Sequence, residues 1–474
     1  MIFNSYLFWA FFSVVLLLYW ALPHKPQRYL LLISSYLFYG AWDWRFLSLI
    51  AISTMVDFWV AQGIEHHQSS TTRKRLLIVS IVVNLGFLGF FKYFNFFTEE
   101  MFTMLQVVGI SASRPTLSII LPVGISFYTF QTMGYTIDVF YRRIKPSTDL
   151  LGFAIFVCFF PQLVAGPIER YSNLMPQFNS RRQFSSNLIS EGFYHVLIGM
   201  FKKVVVADNL APIVNHVFNN SDQVAPMEVL VGLWAFAFQI YGDFSGYSSI
   251  AQGVARWMGF DLMYNFKMPY FATDPSDFWR RWHISLSQWL RDNLYIALGG
   301  NRSSRARTYT NLMLTMVIGG LWHGAAWTFV VWGTIHGALL CMARPFQKRL
   351  DAIKRKRRWA AWLPKAILML LMFHAVCLTW LFFRADSLAQ ASSMLTSMFS
   401  QPWQLTQLAQ YATAMLLFFA LPLLLFEAWL ERQRDMLALL KTSWVVRSAV
   451  YIYLVLMLLF FHPEASNAFI YFQF

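Results

Sequence analysis

Charged residues are scarce in this chain: Asp, Glu, Lys and Arg make up only 13% of its 474 residues. A soluble globular protein carries about 25% charged residues. Hydrophobic residues make up 57% and aromatic residues 18%, including 47 Phe. So few charges cannot cover the surfaces of several water-soluble domains, and the composition therefore excludes a soluble enzyme and a disordered chain. It predicts an all-α polytopic membrane protein.

Cysteine is also scarce. Cys158, Cys341 and Cys377 lie in apolar stretches without paired spacing, so neither a disulfide framework nor a zinc site is expected. The sequence also lacks a Gly-rich phosphate loop, a serine nucleophile elbow and a pair of carboxylates at useful spacing. We therefore predict no metal site and no tightly bound cofactor.

Acidic residues are fewer than basic ones, 23 against 38, which gives a net charge of +15. The basic runs lie between apolar runs, as is typical of the cytoplasmic loops of polytopic proteins. Membrane lipids, and not nucleic acid, are therefore the expected surroundings. These basic runs fall at residues 25–28, 73–75, 142–145 and 354–358.

The apolar runs leave room for about ten to thirteen crossings, because a helix needs about 20 apolar residues to span the bilayer. The first run, residues 1–20, lacks the basic start and cleavage site of a signal peptide and is interpreted as a retained span. If the basic runs lie in the cytoplasm, the N-terminus lies outside. Further spans are predicted near residues 29–39, 47–61, 76–91, 121–140, 367–383, 412–430 and 445–461.

Two apolar regions do not fit a simple crossing. Residues 150–166 are interrupted by Pro161 and precede Arg170 on what should be the outer side, so a re-entrant or broken helix is predicted. Residues 308–343 are too long for one crossing and contain five glycines. Interrupted segments of this kind are where transmembrane sites are usually built.

The longest polar stretch, residues 259–311, is predicted to be cytoplasmic within a single domain that spans residues 1–474. Asp274, Pro275 and Asp277 have the pattern of a helix start. The helix that follows is predicted to lie at the membrane surface. Its polar face would carry Arg281, Ser285, Gln288 and Asp292, and its apolar face Trp279, His283, Leu286 and Leu290.

Two histidines are the candidates for chemistry. His323 lies in an apolar, Gly-interrupted stretch, where an ionisable group is costly and indicates function; the alternative is a neutral His that hydrogen-bonds between closely packed helices. His283 could line a cavity or anchor its helix. His336 and His374 are interpreted as core residues, and Asp243 could order a polar cavity or cap a helix.

A buried His without a neighbouring Ser, Cys or carboxylate suggests general-base chemistry, because neutral imidazole is a competent base near pH 7. The hydroxyl that it activates would come from a substrate, and the electrophile would be an activated acyl group. A base held midway through the membrane is useful if donor and acceptor arrive from opposite sides.

The combined motifs of the chain resemble the membrane-bound O-acyltransferase superfamily, in the branch that contains the alginate O-acetylation protein and its relatives in cellulose and peptidoglycan acetylation. Alginate-type members carry Asn where this chain has Ala326, and residues 165–171 also diverge from the alginate-type sequence, so cellulose or another exopolysaccharide stays equally open. The motifs that carry the resemblance lie at residues 122–128, 165–167, 243–248, 278–287, 321–324 and 383–385.

The resemblance implies a ring of helices in the bacterial inner membrane around a funnel that narrows near His323. It implies His323 as the catalytic histidine and His283 as the second signature residue. The donor would be a cytoplasmic thioester such as acetyl-CoA, whose phosphates Arg280 and Arg281 could attract. The acyl group would pass to a periplasmic partner, often an SGNH-type acetyltransferase, that modifies a polysaccharide acceptor.

A second class of function stays open beside this one. A polysaccharide-export or transporter subunit could also contain a broken-helix cavity with a buried His. An enzyme of the same superfamily acting on peptidoglycan or another cell-wall polymer is a further alternative.

Overall fold

A computed structural model of the chain describes residues 2–110, 117, 119–164, 166–355, 362–463 and 469–470. These residues form helices joined by turns and loops, and no β-strand occurs among them. The prediction of an all-α fold is confirmed. Ala165 and most of the basic run at residues 354–358 lie outside the described residues.

The helices are numbered in chain order. Those of the first half are α1 Tyr6–Ala21, α2 His24–Asp43, α3 Leu47–His66, α4 Ser70–Leu88, α5 Phe94–Val107, α6 Ile125–Phe140, α7 Leu150–Cys158, α8 Phe160–Leu163, α9 Tyr171–Asn179, α10 Ser186–Met200 and α11 Asp208–Asn219. Those of the second half are α12 Pro226–Trp257, α13 Pro275–Arg281, α14 Ile284–Leu290, α15 Arg305–His323, α16 Trp327–Ala343, α17 Gln347–Arg355, α18 Trp362–Arg384, α19 Leu388–Ser400, α20 Gln407–Gln433 and α21 Trp444–Phe460.

Several helical segments, some of them made of two consecutive helices, have the length and apolar composition needed to cross a membrane. Within the described part of the chain they are His24–His66, Ser70–Val107, Trp327–Ala352, Leu363–Arg384 and Gln407–Gln433. Three shorter apolar helices lie at Tyr6–Ala21, Leu150–Leu163 and Trp444–Phe460. The polytopic character of the fold is confirmed, while the ring of about ten to thirteen crossings around a funnel stays a prediction.

The chain divides into two compact units, of which the first comprises Met1–Ile189 and Val254–Met263. Its helices α3, α4 and α6 pack together around the fully buried Asp57. The Asp57 carboxylate accepts hydrogen bonds from the Ser80 hydroxyl and, at 2.8 Å, from Asn84. The later segment joins this unit through the Met263 N–H, which donates to Glu169 at 2.6 Å.

The apolar run at residues 150–166 is broken, as the sequence predicts. Helix α7 ends at Cys158, and α8 begins at Phe160 and ends at Leu163. Phe159, between them, has φ −51° and ψ 107°, outside the helical region. Whether this break forms a re-entrant segment in the membrane stays a prediction.

The second unit comprises Ser190–Gly253 and Tyr264–Phe474. Its α15 and α16 pack against each other as a helical hairpin, so the long apolar region at residues 308–343 is two helices. Glycines allow the two backbones to approach closely. A Cβ at Gly320 would lie 2.2 Å from the Phe329 carbonyl oxygen, and one at Gly333 would lie 2.3 Å from that of Met316.

The prediction of a single amphipathic helix after Asp274 is wrong, because two short helices occupy this segment. Asp274 caps α13, and its side chain accepts a hydrogen bond from the Asp277 N–H at 2.9 Å. The helix ends at Arg281, and a second short helix begins at Ile284. His283 between them has φ +41°, in the left-handed region.

Tertiary packing overrides the helical periodicity at this break. Trp282 is fully buried and packs its ring against Trp380 at 5.0 Å and Phe266 at 5.0 Å. The Ile284 N–H donates to the Asn265 carbonyl oxygen at 2.9 Å, which fixes the start of α14. His283 therefore faces the protein interior from a turn and not from the apolar stripe of a surface helix.

Candidate active site

His323 is the last residue of α15 and is 2% exposed. Its imidazole is enclosed by aromatic rings, with centroid distances of 4.9 Å to Trp322, 5.0 Å to Trp332 and 5.3 Å to Phe383. These rings come from α15, α16 and α18. The hairpin turn at residues 324–326 follows α15 directly, so His323 lies at the C-terminal end of that helix.

His323 lines a cavity of about 700 Å³. Residues at one-turn spacing on α15, namely Leu312, Thr315, Gly319 and His323, line one wall. Helices α13 and α14 and the start of the following π-helical turn supply much of the rest. A group bound in the cavity could therefore extend along α15 to the imidazole.

The cavity lining carries positive charge. Lys267, Arg280, Arg291 and Arg344 line it, and no acidic residue occurs among the described residues that do. A cleft lined by charges of one sign concentrates ligands of the opposite sign. The arrangement can therefore attract an anionic group to the cavity that His323 lines.

Arg280 and Arg281 are placed differently. Arg280 lines the cavity. Its side chain is 56% exposed and donates a hydrogen bond to the Ser276 hydroxyl at 2.9 Å. Arg281 does not belong to the cavity lining; its guanidinium donates to both carboxylate oxygens of Glu431, at 2.8 and 2.9 Å. The Asp277 carboxylate lies 3.3 Å from the same guanidinium. The predicted phosphate contact of Arg281 stays a prediction, and its ion pairs favour a positioning role.

His283 is fully buried, and its ring centroid lies 6.2 Å from that of His323. It does not belong to the cavity lining. Its Nδ1 lies 3.2 Å from the Asn265 side-chain oxygen. Burial lowers the pKa of His283 to about 3, so the imidazole is neutral at physiological pH. The two candidate histidines are brought together, with only His323 on the cavity.

The other singled-out residues lie elsewhere. His336 is fully buried; its Nε2 lies 3.0 Å from the Thr379 hydroxyl, while its Nδ1 has no hydrogen-bond partner among the described residues. Asp243 lies within α12 and so caps no helix; it pairs with Lys203 at 2.7 Å. Its other carboxylate oxygen accepts the Ile470 N–H at 2.6 Å.

Sequence reasoning missed most of the charged lining. Lys267, Arg291 and Arg344 are far apart in the chain, and each follows or precedes an apolar segment like many other basic residues of this protein. The only signal in the sequence was the density of Arg between residues 259 and 311. Their convergence on one cavity depends on tertiary structure.

Comparison with known proteins adds to this geometry. Residues 31–385 match the model of the membrane-bound O-acyltransferase family. A "probable alginate O-acetylase" of Azotobacter vinelandii is 42% identical over 86% of this chain and 80% of its own length. A peptidoglycan O-acetyltransferase of Helicobacter pylori is 36% identical over 84% of this chain and 80% of its own length. A teichoic acid D-alanyltransferase of Streptococcus thermophilus is 28% identical over 56% of this chain.

A buried imidazole on the wall of a cationic cavity in a polytopic helical protein is consistent with a membrane-embedded enzyme of the group-transfer class. The family match covers residues 31–385, and the Azotobacter vinelandii relative is similar over most of both chains. The chain belongs to the membrane-bound O-acyltransferase family, and it is an O-acyltransferase that crosses the membrane several times.

Proposed function

We propose that this enzyme moves an acetyl group from a cytoplasmic thioester, acetyl-CoA, across the inner membrane for O-acetylation of an exopolysaccharide of the alginate or cellulose type. The observation that carries the proposal is the buried His323 on the wall of a cavity whose lining includes four cationic side chains. The "probable alginate O-acetylase" of Azotobacter vinelandii, which is similar to this protein over most of both chains, supports the proposal.

His323 acts as the general base. Its neutral imidazole takes the proton of the acceptor hydroxyl while that oxygen bonds to the thioester carbonyl carbon. The carbon–sulfur bond then breaks, and the leaving thiolate takes the proton from the imidazolium. The products are an ester and a free thiol, so no proton or electron is gained or lost overall.

The donor is held by charge at its polar end and by shape at its acyl end. Arg280, Arg291, Arg344 and Lys267 attract the phosphates of acetyl-CoA, and the aromatic enclosure around His323 accommodates the small acetyl group. Arg281 supports Arg280 indirectly, because its ion pairs with Glu431 and Asp277 fix the end of α13. No donor atom is bound covalently or tightly in this scheme.

His283 acts next to His323 without touching the cavity, which fits a residue that orients or polarises the site. The acceptor side of the reaction requires a hydroxyl on the periplasmic face. We infer that an SGNH-type acetyltransferase passes the group to the polysaccharide there, with the N-terminus of this chain on the same side. The Helicobacter pylori relative keeps peptidoglycan as a second candidate polymer.

Inverted membrane vesicles that contain the chain test the donor directly. Radiolabelled acetyl-CoA added to the exposed cytoplasmic face should release CoA thiol and place alkali-labile label in the vesicle interior, on alginate, cellulose or peptidoglycan supplied with a periplasmic fraction. Vesicles without the chain are the control. If the chain released no thiol but still moved polysaccharide, the transporter alternative would replace this proposal.

A further inference from the structure

Asn265 binds the start of α14 through two different oxygens. It is 1% exposed, and its backbone carbonyl accepts the Ile284 N–H at 2.9 Å. Its side-chain oxygen accepts hydrogen bonds from the Ser285 N–H at 3.2 Å and the Ser285 hydroxyl at 2.9 Å. The same oxygen lies 3.2 Å from the His283 Nδ1. One side chain therefore binds both a helix start and a candidate site histidine.

The backbone donor settles which atom of the Asn265 amide faces His283. Oxygen and nitrogen of an Asn side chain are assigned from their hydrogen-bond partners. The Ser285 N–H can only donate, so the atom that it meets must be the amide oxygen. That oxygen has no hydrogen to give. The hydrogen between Asn265 and His283 must therefore be on the imidazole Nδ1.

The position of the imidazole is fixed as well as its proton. The His283 backbone has φ +41°, which is sparsely populated by residues with a side chain and is retained only where surrounding contacts enforce it. The ring packs edge-on against Phe244 at 4.7 Å and against Trp322 at 5.7 Å. A half-turn of the ring about its Cβ–Cγ bond would put the Cδ2 carbon where Nδ1 now lies and would lose the hydrogen bond to Asn265.

We propose that Asn265 is a positioning residue that holds His283 in one tautomer, with the proton on Nδ1 and the lone pair on Nε2, for its role beside His323. The second nitrogen of a histidine takes its role from the hydrogen bond that the first one makes. His283 then presents a hydrogen-bond acceptor, and not a donor, from its Nε2. The structural part of this inference stands alone; its effect on turnover rests on the proposed function.

Nitrogen NMR of the detergent-solubilised full chain, labelled with ring-¹⁵N histidine, tests the tautomer. The His283 signals are identified as those that disappear in His283→Gln. We expect the wild-type ring to carry its proton on Nδ1 and Asn265→Ala to shift the signals toward a mixture of both tautomers. Asn265→Asp keeps an acceptor oxygen, so Nδ1 should remain protonated. A wild-type proton on Nε2, or unchanged signals in Asn265→Ala, would overturn the inference.

Kinetics separate positioning from simple stabilisation. In folded protein, Asn265→Ala should lower kcat about tenfold or more, as loss of a partner that orients a functional His does, with KM for acetyl-CoA nearly unchanged. Asn265→Asp should retain more activity than Asn265→Ala. Asn209→Ala is the matched control, because Asn209 donates to the carbonyl oxygens of Val204, Val205 and Phe461 and touches no site histidine.

Failure of the proposed function and failure of the inference about Asn265 would give different results. If wild-type protein did not consume acetyl-CoA, the proposed donor would be wrong, while the NMR result would still decide the tautomer. If Asn209→Ala lowered kcat as much as Asn265→Ala does, the role of Asn265 would be structural and the inference would fail.

Discussion

At the scale of single residues, the two neighbouring arginines at the end of α13 illustrate how position decides the role of a charge. Arg280 faces the cavity, whereas Arg281 binds Glu431 through two hydrogen bonds. Planar two-bond pairing with a carboxylate gives arginine a fixed geometry. The same change at the two positions should therefore have different consequences.

We expect Arg280→Ala to raise KM for acetyl-CoA about two- to fivefold with kcat nearly unchanged, because an exposed charge pair is worth about 0.5–1 kcal/mol. Arg281→Ala should mainly lower the yield and thermal stability of the protein. Steady-state kinetics and thermal unfolding in detergent measure both.

Lys441→Ala is the control for a lost positive charge, since Lys441 is exposed and pairs only with Asp435 among the ion pairs described for it. Dephospho-CoA thioesters, which have less negative charge, should reduce the KM difference between Arg280→Ala and wild type. A fall in kcat with unchanged KM in Arg280→Ala would contradict a role in donor binding.

At the scale of elements, the α15–α16 hairpin holds the His323 imidazole through contacts that only glycine permits. Gly320 lies against the backbone of α16, whereas Gly319 lines the cavity and a Cβ there would meet only the Leu290 Cδ1, at 3.1 Å. Adjacent glycines thus differ in what surrounds them. Backbone cannot move aside as the end of a side chain can.

Gly320→Ala should therefore lose most of the folded protein, with a cost of about 2–3 kcal/mol or more from overpacking. Gly319→Ala should fold, since the Leu290 side chain can shift by a few tenths of an ångström. Size-exclusion yield and thermal unfolding of the two variants in parallel provide the measurement. Equal loss in both variants would mean that the hairpin packing is not as close as described.

At the scale of the whole molecule, the basic loops predict the orientation of the chain in the membrane. Single cysteines at positions 69 and 355 should be shielded from a membrane-impermeant thiol reagent in intact cells, whereas one at position 99 should react. Ser69 and Glu99 are both exposed at helix ends or helix surfaces, so access depends on the side of the membrane.

Of the three native cysteines, one could react with the thiol reagent itself. Cys158 and Cys377 are buried, while Cys341 is partly exposed, so Cys341→Ser is the appropriate background. Labelling at position 69 from outside would reverse the predicted orientation.

Much of the architecture could be predicted from local pattern. The cap at Asp274 and the breaks near Phe159 and Gly324 follow from residue types whose backbone preferences are strong. The division of the predicted surface helix at His283 could not, because its periodicity is helical and only the packing of Trp282 and the hydrogen bonds of Asn265 interrupt it. Side chains that meet through tertiary packing leave no local signal.

The candidate site shows the same limit. His323 could be selected because an imidazole in an apolar stretch is costly. The cationic lining could be selected only in part, since Arg291 and Arg344 resemble any basic residue at the end of an apolar helix. Their importance lies in the cavity that they share with His323.

The most direct test of the account is acetyl transfer by His323→Gln, which keeps much of the size and polarity of the side chain but cannot take up a proton at neutral pH. General-base assistance contributes about 10²–10⁴-fold, so activity per folded molecule should fall by at least about 10²-fold. His336→Gln, which changes a second fully buried imidazole bound to Thr379, should keep most of its activity. Near-native transfer by His323→Gln would make His323 a packing residue and contradict the mechanism.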